Sequence, residues 1–352
     1  MAFLEIKNVA IRGIAACVPK EIVENSLVYE EKWGGYENFV SATGIAKHRN
    51  SRKDVCASDL CVEATEGLIK ELGWEKTEVD AIVFVTQTPD YYSVPATSCL
   101  IQDKLGLPKS CYTLDISLGC SGWVYAMTVI SSLMQNGTIK RGLLLAGDTP
   151  SKFCSEDDKS TYPLFGDAGT VTALEYSEIA SPIRFAMYTD GSGYEAINLR
   201  AGGYRNPVTR ESFEVKNHGD GKDRCDLQLE MDGESVFVFG ISQAPKAIKA
   251  LAANYEIDLD AVDLFTFHQA NLFMNEKIRK KLKIDTEKVP YSMQEFGNTS
   301  CASIPLTLVT RRAEQLRNEK VKHIACGFGV GLSWGAVSFE TENLIIPDLK
   351  EL

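Results

Sequence analysis

The chain has 352 residues, of which 44% are apolar and 24% charged, enough for one large core or two packed halves and unlike a disordered segment. A formal net charge of −11, from 37 basic and 48 acidic residues, argues against wholesale nucleic-acid binding, because a phosphate backbone rewards a broadly basic face. No apolar run comes near the roughly 20 residues that span a bilayer, and Met1-Ala2-Phe3-Leu4-Glu5-Ile6-Lys7 interleaves charge with apolar groups instead of forming a signal core, so a cytoplasmic protein with no membrane partner is expected.

In chain order, a helix is expected over about 57–72, a short apolar strand within 78–87 and a second helix over about 94–105. The segment Asp115-Ile116-Ser117-Leu118-Gly119-Cys120-Ser121-Gly122-Trp123 reads as a strand turning through glycine into a helix over about 121–136, and strands follow at 142–147 and 169–174. Residues 176–232 are rich in Gly, Asn, Asp and Arg, as in Asn217-His218-Gly219-Asp220-Gly221, which predicts a surface excursion or cap between two halves. The same plan then repeats. A helix over about 234–254 leads a short apolar strand within 261–269, a helix spans about 270–282, a loop carries Asn298, a helix spans about 301–317, and strands lie at 323–327 and 334–339. Asp80 and Asp263, which open the paired strands, stand 183 residues apart. Alternating strand and helix implies parallel sheet with helical cover, so the expected fold is a duplicated, layered α/β arrangement. Its N-terminal half spans 1–175, the excursion 176–232 and the C-terminal half 233–352.

Three residues in strand-to-helix connections, where open α/β sheets bind ligands, carry the chemistry: Cys120, His268 in Phe267-His268-Gln269-Ala270-Asn271, and Asn298 in Gly297-Asn298-Thr299-Ser300. A thiol at the positive end of a helix is favoured as thiolate and accepts an acyl group from a thioester. His268 and the non-titrating amide of Asn298 suit stabilisation of an enolate, which places their expected role after acylation. Papain-like proteases also use Cys, His and Asn, but Gly119-Cys120-Ser121-Gly122-Trp123 does not reproduce their nucleophile signature. The ten cysteines contain no CxxC pair, so neither zinc nor a disulfide framework is expected. Phe165-Gly166-Asp167-Ala168-Gly169 lacks the Gly-Lys-Ser/Thr of a phosphate loop and reads as a tight turn, while the N–H groups of Gly327-Phe328-Gly329-Val330-Gly331 are candidates for an oxyanion hole. A basic cluster of Lys277, Arg279, Lys280, Lys281 and Lys283 reads either as a solvated helix face or as a landing site for an acidic carrier or a phosphorylated cofactor.

As a set, Gly119–Trp123, Leu164-Phe165-Gly166-Asp167, His268–Asn271, Gly297-Asn298-Thr299-Ser300-Cys301-Ala302-Ser303-Ile304-Pro305 and Gly327-Phe328-Gly329-Val330-Gly331-Leu332-Ser333-Trp334-Gly335 resemble β-ketoacyl-[acyl-carrier-protein] synthase III, of the thiolase superfamily, over nearly the whole chain. The resemblance implies a thiolase-like α-β-α-β-α fold with two pseudo-symmetric halves, a homodimer, and no cofactor beyond acyl-coenzyme A or acyl-carrier and malonyl-carrier substrates. It implies acylation of Cys120, then decarboxylative condensation promoted by His268 and Asn298. It further implies backbone N–H groups of Cys120 and Val330 on the thioester oxygen, Val94 in the partner subunit's acyl pocket, and Lys280 and Lys281 against the acyl carrier protein. Two departures stand out. The Trp and Arg that grip adenine in members using acetyl-coenzyme A are replaced by Asn38 and Ala42, with Trp33 or Arg49 nearby as substitutes, and a carrier-contacting Arg is replaced by Phe273. A non-decarboxylating acyltransferase or condensing enzyme of a specialised pathway is the alternative on the same scaffold.

Overall fold

The structure, a computed structural model, describes residues 2–219 and 221–352; Met1 and Asp220, the latter within the expected loop 217–221, lie outside the described residues. Eleven strands form the two main sheets: β1 (Ala2–Ile6), β2 (Val9–Val18), β3 (Ala81–Val85), β4 (Tyr112–Ile116), β5 (Arg141–Asp148), β6 (Ala168–Tyr176), β7 (Ile183–Thr189), β8 (Leu264–Phe267), β9 (Lys320–Gly329), β10 (Ser333–Glu342) and β11 (Lys350–Glu351). One sheet runs β11-β2-β6-β5-β3-β4 and the other β1-β7-β10-β9-β8. The duplication is visible in the pairing. β2 to β6 and β6 to β5 are antiparallel and β5 to β3 parallel, and β7 to β10, β10 to β9 and β9 to β8 repeat that sequence of senses.

The longer helices that complete the layers among the described residues are α1 (Ala57–Leu72), α2 (Gly122–Met134), α3 (Gly233–Tyr255), α4 (Leu272–Leu282) and α5 (Ser303–Asn318). α2 and α5 lie between the sheets, and their side chains Trp123, Met127, Ile130, Ile304, Leu306 and Leu308 join residues of both sheets in one buried cluster. α2 meets protein on nearly all sides and is apolar nearly all round, whereas α5 is apolar mainly over Ile304–Val309 and mostly polar beyond it, around the buried Leu316. α1 covers the outer face of the first sheet through Leu60, Ala64 and Leu68. α3 and α4 cover the second through Ala247, Ile248, Leu251, Met274 and Ile278. By length and composition α3 is apolar enough to cross a membrane, which a search for uninterrupted apolar runs misses because Lys246 and Lys249 break it; both lysines are exposed while the opposite face packs on the sheet.

The expected surface excursion over 176–232 needs correction. Its first part supplies β7, whose Ile183, Phe185, Ala186 and Met187 are buried and which occupies in the second sheet the place of β2 in the first. The second half therefore begins near residue 183, not 233. The remainder does lie largely at the surface, held by pairing of Ile197–Leu199 with Leu229–Met231 and by the buried Arg224–Asp158 ion pair at 3.0 Å.

Three histidines, His48, His268 and His323, are buried, and desolvation holds their pKa values down at about 4, 3 and 3. The unfolded chain takes up a proton at each near pH 6.5 while the folded chain does not, so stability falls as pH drops below about 6.5, by about 1.4 kcal/mol per pH unit for each histidine. Among the described residues, neither ring nitrogen of His48 has a hydrogen-bond partner. His48→Phe is accordingly expected to flatten the decline in stability between pH 6.5 and 4.5, measured by urea unfolding at each pH; an unchanged slope would show that His48 protonates in the folded state.

Candidate active site

Cys120 stands four residues beyond β4 and two before α2. The turn is tight, with the Gly122 N–H on the Gly119 carbonyl at 2.6 Å. A Cβ on Gly119 would come within 2.2 Å of Gln87 Oε1, and one on Gly329 within 2.9 Å of the Cys120 sulfur, so both glycines are close-approach positions. The hydroxyls of Ser121 and Ser333 meet at 2.7 Å, and Ser333 Oγ donates to the Val330 carbonyl at 2.9 Å, tying this turn to the β9–β10 hairpin. Backbone N–H groups of Val330 and of Cys120 itself are hydrogen-bond neighbours of the sulfur, as is the Ser300 hydroxyl.

Electrostatics here differ from the expectation of a helix-stabilised thiolate. Burial, and then the charge of Asp148, push the Cys120 thiol up to about 12; desolvation outweighs the N–H groups and the helix end. Asp148 is wholly buried at the end of β5. Its Oδ1 accepts from Thr86 Oγ1 at 2.9 Å and from the N–H groups of Gln87 and Thr88 at 2.7 and 3.2 Å.

His268 follows β8, and its neighbours in the motif hold it. Gln269 Nε2 donates to the Phe267 carbonyl at 2.8 Å while its Oε1 accepts from Ser292 N–H at 2.9 Å. Asn271 caps α4, accepting from Met274 N–H at 2.8 Å, and Asn275 Nδ2 donates to the His268 carbonyl at 3.0 Å. The ring packs edge-on against Phe328, 5.5 Å between centroids, and its Nδ1 lies 2.8 Å from Ser303 Oγ. Burial keeps the imidazole neutral.

Asn298 is fixed by Leu164 and Gly166, at the start of the segment Phe165–Gly169 read from sequence as a tight turn. Its N–H donates to the Leu164 carbonyl at 2.8 Å and its carbonyl accepts from Gly166 N–H at 3.1 Å. Asn298 Oδ1 accepts from Ser300 N–H at 3.0 Å, which orients the amide with its NH2 group available as donor.

Cys120, His268 and Asn298 line one cavity of about 530 Å³, together with Leu164, Phe165, Phe328 and Gly329; the exposed Asp232 and Glu234 mark its mouth. A thiol, a neutral imidazole, an amide donor and two backbone N–H groups around one space can accept an acyl group and stabilise an enolate or oxyanion. Asp148, Ser300 and Ser303 are the neighbours that sequence reasoning missed. Ser300 and Ser303 stood in a quoted motif, but no spacing rule places residue 148 behind residue 120. Among the described residues, no cluster of His, Cys, Asp and Glu is arranged to hold a metal ion.

The other expected positions lie apart from this cavity. Val94 is 79% exposed, near the exposed Tyr91, Tyr92 and Tyr204. The basic cluster on α4 is divided: Arg279 is half-buried and makes two bonds of 2.8 Å to Glu276, whereas Lys277, Lys280, Lys281 and Lys283 are exposed. Phe273 stacks on Phe237 with centroids 5.4 Å apart. Asn38 and Ala42 are exposed on the helix Tyr36–Thr43. Arg49 is committed to Glu351 at 2.9 Å and to the Pro19 and Lys20 carbonyls, which removes it as a substitute adenine grip. Trp33 instead lines a crevice with Lys32, Asp157 and Gly221.

Comparison with known proteins places this geometry in a family. Residues 114–191 match 3-oxoacyl-[acyl-carrier-protein] synthase III and residues 252–341 its C-terminal part. A β-ketoacyl-[acyl-carrier-protein] synthase III of Rhodopirellula baltica is 30% identical over 95% of this chain and 99% of its own length. The chain belongs to the β-ketoacyl-[acyl-carrier-protein] synthase III family. A family member from Staphylococcus saprophyticus is 33% identical over 94% of this chain and 98% of its own. The crystal structure of a 3-oxoacyl-(acyl-carrier protein) synthase from Burkholderia xenovorans superposes with a TM-score of 0.93 at 38% identity, covering 100% of this chain and 99% of that one. The fold is thus the thiolase-like one of the synthase III family, and the two sheets with their shared helical layer are its duplicated halves.

Proposed function

We propose that this member of the family condenses an acyl thioester primer with malonyl-acyl carrier protein, releasing carbon dioxide and extending the primer by two carbons. The observation that carries the reading is the convergence of Cys120, His268 and Asn298 on one cavity, with the Cys120 and Val330 N–H groups at the sulfur. Because burial keeps Cys120 as a thiol, its proton must leave as sulfur attacks, and the neutral His268 is the acceptor in the same space. The tetrahedral oxygen then takes the two backbone N–H groups, and the departing thiolate recovers the proton. Malonyl thioester enters next. Loss of carbon dioxide leaves an enolate whose oxygen accepts from His268 Nε2–H and Asn298 Nδ2–H, and its carbon attacks the acyl-Cys120 carbonyl. Sulfur is expelled and takes a proton from solvent.

The enzyme is read as a cytoplasmic homodimer, with exposed Val94 reaching the partner subunit's acyl pocket and no cofactor beyond its thioester substrates. Its specific partner is an acyl carrier protein. Exposed Lys280 and Lys281 on α4 support that docking, while the exposed Asn38 and Ala42 in place of the adenine grip favour a carrier-bound primer over coenzyme A. Incubation with malonyl-carrier protein and a panel of primers should give one carbon dioxide per ketoacyl product; acyl transfer without carbon dioxide would replace this reading with the non-decarboxylating alternative. Reversing Lys280 and Lys281 to Glu should slow carrier-dependent turnover about tenfold at low salt, with little effect on a small thioester donor. Equal slowing of both donors would move the docking surface elsewhere.

A further inference from the structure

The hole proposed above for the thioester oxygen draws one N–H from each half of the chain. Cys120 stands on the turn into α2, and Val330 follows the last residue of β9. The two segments lie against each other: a Cβ on Gly329 would meet Cys120 Cβ at 2.5 Å, one on Gly327 would meet Ser121 Cα at 2.9 Å, and one on Gly119 would meet Val330 Cγ1 at 2.9 Å. The β9–β10 ladder ends at the Gly329–Ser333 pair, so strand pairing holds Gly329 and not Val330. Two hydroxyls reach the residue that the ladder leaves out. Ser333 Oγ lies 2.9 Å from the Val330 carbonyl and 2.7 Å from Ser121 Oγ, and the two serines are 3% and 1% exposed. A carbonyl only accepts, and a hydroxyl carries one hydrogen. The Ser333 hydrogen is therefore committed to Val330, and the hydrogen in the 2.7 Å contact is that of Ser121. Donation runs in one sense, from Ser121 to Ser333 to the Val330 carbonyl, across 212 residues of sequence.

We infer that Ser121 and Ser333 are positioning residues that aim the Val330 N–H at the oxygen of a thioester reacting with Cys120. The inference rests on the acylation of Cys120 proposed above. With Gly329 held by the ladder on one side and the Val330 carbonyl held by Ser333 on the other, both peptide groups that flank the Val330 Cα are fixed, and the direction of its N–H with them. Ser333 is in turn anchored to Ser121, the residue next to the nucleophile, so the donor is placed relative to the sulfur and not to the hairpin alone. A hole donor acts on charge that develops only as sulfur attacks, so misplacing it slows the chemical step without weakening the binding of the thioester. Loss of Ser333 frees the Val330 carbonyl and strands the Ser121 hydroxyl, whereas loss of Ser121 removes only the anchor.

Comparing acylation of Cys120 with its alkylation separates this role from plain structural support, because iodoacetamide reacts by displacing iodide and develops no oxyanion. Ser333→Ala should slow acylation by an acyl thioester about tenfold or more, with the half-saturating thioester concentration unchanged. Ser121→Ala should slow it about threefold, and the double variant should match Ser333→Ala, since Ser121 acts only through Ser333. Alkylation should stay within about twofold of wild type in all three. In isotope-edited infrared spectra the carbonyl of acyl-Cys120 should stretch at lower frequency than a free thioester in wild-type protein, and shift back towards it in Ser333→Ala. Acylation at the wild-type rate in Ser333→Ala would overturn the inference. So would equal slowing of acylation and alkylation, or losses that multiply in the double variant. If Ser333→Ala does not fold, Ser121→Ala decides by itself, and its acylation at the wild-type rate counts against the inference. Acylation of wild-type protein without carbon dioxide release would defeat the condensing reading and leave this result standing, whereas a Cys120 that alkylates and never acylates would remove both.

Discussion

Replacing Cys120 by serine is expected to leave a folded protein and remove acyl transfer, with acylation falling by about 10³-fold or more. The substitution keeps size and shape in a site where the sulfur already has N–H and hydroxyl neighbours, so the stability change should stay within about 1 kcal/mol. A second readout concerns the thiol's resting state. With the sulfur held at about 12 by burial and Asp148, alkylation of Cys120 by iodoacetamide should be slow at pH 7 and rise about tenfold per pH unit towards pH 10. Alkylation already at its plateau at pH 7 would return the picture to a thiolate stabilised by the α2 terminus.

The second large effect separates His268 from Asn298. Asn298→Ala should still form acyl-Cys120 at close to the normal rate and lose malonyl decarboxylation by about 10²-fold or more, because its amide donates only to charge that develops during condensation. His268→Ala should fail in both steps, slowing acylation by about 10²-fold. That last expectation departs from the sequence reading, in which both residues act only after acylation. The change follows from desolvation, since a thiol whose proton is held this firmly needs a proton acceptor and His268 is neutral in the same cavity. Rapid-quench measurement of acyl-enzyme formation and carbon dioxide release checks both variants. Normal acylation by His268→Ala would restore the simpler division of labour.

The repeated plan was legible because each half alternates apolar strands with helices over fixed intervals, and α1, α2 and α5 appear within a few residues of their expected bounds. β7 was not. Ile183, Phe185 and Met187 alternate with Arg184 and Tyr188 as a half-buried strand should, but they adjoin a Gly- and Asn-rich stretch whose composition masked them. At the site, Cys120, His268 and Asn298 stood out because each sits in a motif beside glycine or amide residues, and the structure brings all three to one cavity. The height of the thiol's pKa was not legible. It depends on the desolvating walls that α2, α5 and the β9–β10 hairpin set around residue 120, itself half-buried at the cavity, and on Asp148 lying behind it, neither of which a local pattern encodes.

One mass-spectrometric chase tests the central claim most directly. Wild-type protein is incubated with an acyl thioester, sampled, then given malonyl-carrier protein and sampled again, with each sample mapped by peptide. The condensing account predicts a single acyl adduct on the Cys120 peptide that disappears as ketoacyl product and carbon dioxide form in equal amounts. An acyl group on any other cysteine, or an adduct on Cys120 that persists while carbon dioxide is released, would contradict it.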